Sequence, residues 1–248
     1  MSDYKGQYSS APTVDLAYDE GLRKFMLGVY NKMGLGLVVT GLLAAVVAFV
    51  PEVTALFFQR TATGGMGYTP LGMGVAFAPL VILLGAGFVM RNPTTTSTAI
   101  LYWLIVGLIG LSMGVLGIVY TGQSIATTFF VTAAAFGALS LFGYTTKKDL
   151  SGMRTFLLMA TIGLIIAVLV NMFLIKSGIT QLVISAIGVL IFAGWTAYDT
   201  QNLKRTYYAL GGNEAGMAMA TNYGALSLYI DFINMFQFLL AFMGVRRD

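Results

Sequence analysis

Long apolar runs separated by short polar stretches dominate the chain. Seven runs are evident, at about Gly34–Val50, Leu71–Met90, Ala99–Tyr120, Ile125–Tyr144, Thr155–Ile175, Ile179–Tyr198 and Ala220–Met243. Each is close to the roughly 20 residues that carry a helix across a bilayer. In lipid only helices and closed barrels satisfy their own backbone, and the runs are continuous rather than alternating, which excludes a barrel. The pattern predicts an all-α integral membrane protein of seven transmembrane helices. Short connections place residues 26–248 in one transmembrane domain. Residues 1–25 are expected to form a cytoplasmic tail, disordered over "MSDYKGQYSSAPT". The segment "DEGLRKFMLGVYNKM" is expected to lie as an amphipathic helix on the membrane surface. Asp15, Asp19, Glu20, Arg23 and Lys24 precede the first apolar run, a layout unlike a cleavable signal peptide.

Composition strengthens this reading. The chain of 248 residues is 57% hydrophobic and 10% charged, against roughly 25% charged in soluble domains. Ten of the 14 Lys and Arg residues fall on the N-terminal side of a seven-span layout. The positive-inside rule then predicts a cytoplasmic N-terminus and an external C-terminus. The net charge of +4 needs no nucleic-acid partner. With no cysteine and no histidine, thiolate chemistry, histidine metal ligation and serine–histidine catalysis are excluded.

Asp231 stands out because it sits deep in the seventh run, "LYIDFINMFQFLLAFMG". A charge there costs roughly 2.5–3.5 kcal/mol on insertion scales and usually faces a protein interior or a water-filled cavity. Gly224, Ser227, Asp231 and Asn234 follow 3-4-3 spacing, which forms a small, polar stripe directed into the bundle. Asp199 ends the sixth run and Arg91 ends the second, so topology brings both towards one side of the membrane. If the sixth helix continues past Tyr198, Asp199 reaches the layer of Asp231. In the third run, Gly107, Gly110, Gly114 and Gly117 form a stripe suited to close helix packing or to a gliding helix.

Two carboxylates in a low dielectric cannot both ionise cheaply, and a nearby arginine favours the charged form of the acid it touches. Protonation could therefore decide between an acid–acid and an acid–arginine pair. The same cluster could instead be a static pair that fixes helix register. Two aspartates on the sixth and seventh spans also suggest an intramembrane aspartyl protease. The Gly-x-Gly-Asp motif of such enzymes is missing, because Leu228, Tyr229 and Ile230 precede Asp231. The chain is expected not to be an enzyme.

Several segments resemble the Bax inhibitor family, also called the transmembrane Bax inhibitor motif family. They are "FGALSLFGYTTKKDLSGM" at Phe136–Met153, "AYDTQNLK" at Ala197–Lys204, "ALSLYIDFINMFQFLL" at Ala225–Leu240, and "VMRNP". The resemblance runs from Leu27 onward. It implies six helices around a central seventh, and a pH-sensitive calcium leak channel. It further implies Asp199 and Asp231 as the pH-sensing pair and Arg91 as the latch. The short tail "GVRRD" looks bacterial, so the inner membrane is expected. Calcium prefers six to eight oxygens, so Asp199 and Asp231 with neighbouring oxygens suit a weak site for a permeant ion, with no resident cofactor. Membrane lipid and calcium ions are the expected partners. The resemblance also allows a different function, an interaction protein that binds and modulates a membrane-anchored AAA protease.

Overall fold

The structure, a computed structural model, describes residues 20–61 and 66–247. Of the tail expected over residues 1–25, residues 1–19 lie outside the described residues. Among those described, seven helices are long and apolar enough to cross a membrane. The elements are α1 (Glu20–Phe49), α2 (Pro51–Phe57), β1 (Phe58–Arg60), β2 (Met66–Tyr68), α3 (Pro70–Val89), α4 (Thr95–Ser112), α5 (Gly114–Val119), α6 (Gly122–Thr145), α7 (Met153–Val170), α8 (Gly178–Leu210) and α9 (Glu214–Met243). Helices α4 and α5 make one span, bent at Met113. Helix α7 ends in a π-helical turn, Asn171–Ile175.

Helix starts follow local side-chain chemistry. Thr69, Thr94, Thr121, Ser177 and Asn213 each accept a hydrogen bond from an amide in the first turn that follows. Such caps satisfy donors that have no partner within the helix. Helix α8 stops at Gly211, whose φ of 53° is left-handed, a conformation that costs glycine least.

Two boundaries differ from the sequence reading. The first span begins at Glu20 rather than Gly34, so the domain starts before residue 26. The segment expected on the membrane surface is the opening of α1. Leu22, Phe25, Met26, Val29 and Met33 are buried at helical spacing, and the Phe25 ring meets Tyr207 at 5.7 Å. Charged residues on the opposite face gave this stretch its interfacial look. Helix α8 runs to Leu210 instead of ending at Tyr198. Its 33 residues span about 50 Å, well beyond a hydrocarbon core of roughly 30 Å. Hydropathy therefore missed its polar last turns. It also missed α2 and the small antiparallel hairpin Phe58–Arg60 with Met66–Tyr68.

Helix α9 is the most buried span and packs against α1, α4, α6 and α8. Helix α3 leans mainly on α4, and α7 on α8. Glycine permits the close crossings. A Cβ at Gly224 would lie 2.3 Å from Leu203, and one at Gly188 would lie 2.6 Å from the Phe238 ring. The stripe on α4 and α5 is only partly as expected. Gly110, Gly114 and Gly117 face Leu43, Val47 and Ala48 of α1, whereas Gly107 has nothing within 4 Å. The contact line runs through Val106, which meets Gly36, and Gly107 lies one residue, about 100°, off that line.

Candidate functional site

The polar stripe of α9 faces a cavity. Asp231 is 4% exposed, and its Oδ2 has no hydrogen-bond partner among the described residues. A buried oxygen without a partner is costly and calls for an explanation. Four residues earlier, one turn along α9, Ser227 lines the same cavities as Asp199. The extension of α8 past Tyr198 is what carries Asp199 to this level. Asp199 and Asp231 line one cavity. Asn234 donates to the Ile230 carbonyl at 2.8 Å.

A cavity of about 770 Å³ opens over this stripe. Its floor is Ser227, Asp231 and Asn234, and its walls are Leu80 and Leu83 of α3 and Leu164 and Val168 of α7. A second cavity, of about 320 Å³, is lined by Pro93, Asn202, Thr206, Tyr223 and Gly224. Both cavities also include Asp199 and Ser227. These two residues therefore stand between a space midway along α9 and a space at the end where α8 stops and α9 begins. Gly224 has two roles here: it lines the second cavity and lets Leu203 approach α9. No cluster of three or more acidic side chains occurs among the described residues, so Asp199 and Asp231 form a pair with no third acid.

Arg91 is exposed in the turn after α3, and no ion pair joins it to Asp199. Helix α3 packs on α4 and away from α8, and it is Pro93 that reaches the cavity wall. Arg154, exposed at the start of α7, acts on Asp199 only through its field, with no ion pair between them among the described residues.

A second polar cluster lies nearer the start of α9. Asn222 is 4% exposed. Its amide donates to Thr98 Oγ1 at 2.8 Å and to the Thr95 carbonyl at 3.0 Å. Its oxygen accepts from Lys32. Lys32 also lies 5.2 Å from the centre of the Tyr102 ring, and the Tyr102 hydroxyl donates to the Lys32 carbonyl at 2.6 Å. Further along, Tyr229 and Thr40 pair at 2.6 Å. A lysine just before the first apolar run and an asparagine just inside the seventh were the available signals for this cluster.

Seven membrane-spanning helices, with a buried Asp231 and a half-buried Asp199 on one cavity, define a polytopic integral membrane protein. A family model described as "Inhibitor of apoptosis-promoting Bax1" matches residues 22–248, and the chain belongs to this Bax inhibitor family. It is 57% identical to an uncharacterized protein of Caulobacter vibrioides, with the whole of both chains covered. It is 45% identical to an uncharacterized protein of Rickettsia prowazekii, covering 93% of each chain. It is also 41% identical to the inner membrane protein YbhL of Escherichia coli, covering 92% of this chain and 94% of that one.

Proposed function

We propose that this protein is a pH-sensitive calcium leak channel of the bacterial inner membrane, with its N-terminal face towards the cytoplasm. The observation that carries the reading is the pair of cavities meeting at Asp199 and Ser227. Placed in series, they make an interrupted route from mid-membrane to the face richer in Lys and Arg. Carboxylate and amide oxygens along the route suit a weakly held hard cation. The inner-membrane placement draws on the printed name of the YbhL relative.

Gating follows from the chemistry at this junction. An ionised Asp199 accepts a charge-assisted hydrogen bond from Ser227, which is stronger than a neutral one. This bond holds the partition shut. Protonation of Asp199 weakens it, and the partition opens more often. Asp231 from α9 shares the cavity of Asp199, and Arg154 from α7 acts on Asp199 through its field. Two carboxylates this close titrate as a pair.

Calcium flux into liposomes holding the purified protein is expected to rise as pH falls. Asp199→Asn and Asp231→Asn should each flatten that profile, and Ser227→Ala should raise flux at high pH. Wild-type profiles in all three variants would remove the pair and its serine from the gate. A C-terminal reporter fusion should report an external C-terminus, and a cytoplasmic signal would overturn the orientation.

A further inference from the structure

The mid-membrane cavity has a feature that ion conduction does not require. Leu80 of α3 is 47% exposed and Ile165 of α7 is 45% exposed, and both line it. These are outward positions on membrane-spanning helices. The space between α3 and α7 is therefore a crevice that opens sideways, through apolar walls, towards lipid. Asp231 lines its floor, with one carboxylate oxygen, Oδ2, buried and without a partner among the described residues, and Asp199 lines the same crevice.

We propose that this crevice is a binding site for a single-chain primary amine that enters from the bilayer. Its protonated headgroup would meet Asp231 and Asp199, and its alkyl chain would lie between α3 and α7. Both halves of the ligand are dictated by the lining. An ammonium group has three donors and no acceptor, so it complements a crevice lined by two acids, one of which lacks its full set of hydrogen bonds among the described residues. A fatty acid or a phospholipid phosphate would bring an anion to a carboxylate pair. The apolar walls favour a chain over a small water-soluble amine. The inference deepens the proposed conduction route by naming a ligand that would occupy it. Binding is measured without flux, so failure of one claim leaves the other standing.

Trp195 lines the crevice and is held by a 2.9 Å hydrogen bond from its indole to Thr161. Because the chain has two tryptophans, a Trp103→Phe background isolates Trp195 as a reporter. The probe is a twelve-carbon primary amine with a nitroxide on its chain, added to the protein in lipid nanodiscs. Saturable quenching of Trp195, reversed by unlabelled dodecylamine, is expected. Asp231→Asn should weaken the apparent affinity about tenfold, and Ala76→Phe, which narrows the crevice wall away from the acids, should weaken it as well. Matched nitroxide-labelled alcohol and fatty acid should give only unsaturable quenching. Equal, saturable quenching by the alcohol would overturn the proposal. So would an unchanged affinity in Asp231→Asn, or, if that variant does not fold, in Ala76→Phe.

Discussion

Asn222 and Asp231 lie on the same helix, and both are 4% exposed, yet their surroundings differ. Asn222 spends both amide hydrogens and its oxygen on Thr95, Thr98 and Lys32. Asp231 keeps a buried oxygen without a partner and faces a cavity. The first arrangement is a staple that ties α1 and α4 to α9. The second is a site, because space and unmet hydrogen-bonding capacity are what a ligand or permeant ion needs. Burial of a polar residue does not separate the two cases, whereas satisfaction of its hydrogen bonds does.

The contrast predicts opposite responses to substitution. Asn222→Leu removes the acceptor of half-buried Lys32 and the amide donor to Thr98, whose hydroxyl keeps its bonds to the Thr94 and Thr95 carbonyls, at about 1–3 kcal/mol for a polar group left unsatisfied. Thermal unfolding in detergent should show this as the largest loss of stability among the changes considered. Asp231→Asn removes a charge that nothing in the protein satisfies, so stability should hold or rise while the pH profile of flux flattens. A large destabilisation by Asp231→Asn would make this residue a staple as well.

The glycines on α4 and α5 sharpen the same comparison for packing. A Cβ at Gly114 would stand 2.3 Å from Val47, while Gly107 has open space around it. Gly114→Leu should cost about 1–3 kcal/mol through overpacking, and Gly107→Leu should leave the unfolding temperature nearly unchanged. Equal effects would show that α1 does not cross where the contacts place it. For the charges near the site, Arg154→Ala should move the pH midpoint of flux, while Arg91→Ala should move it less. The reverse order would restore Arg91 as the latch.

The smallest effect is expected at an exposed control. Asp149 lies in the loop between α6 and α7, where the Ser151 amide and side chain and the Arg205 guanidinium hold its carboxyl below the usual range. Its folded value is thus lower than its unfolded one. Whatever this contact contributes is present above the ordinary carboxylate range and is lost as pH falls through the folded value. A carboxyl NMR titration of Asp149 should show that low midpoint, and Arg205→Ala should raise it, with little change in unfolding temperature because exposed ion pairs contribute little.

Hydropathy alone determined the seven spans, since a backbone in lipid must bond within its own helix and long apolar runs are how a chain states this. The stripe on α9 was legible for a related reason: spacing of 3-4-3 sets one face whatever the helix packs against. The polar end of α8 and the first turns of α1 were hidden, because helices that project from the membrane no longer need apolar outer faces. Tertiary structure decided the rest. That Asp199 shares its cavities with Ser227 and not with Arg91, that Lys32 turns inward to Asn222, and that α3 and α7 stand apart over Asp231 all depend on the rotation and crossing of separate helices. Those are set by the joint fit of side chains distant in sequence, such as Gly224 against Leu203 and Gly114 against Val47, and no local pattern carries that information.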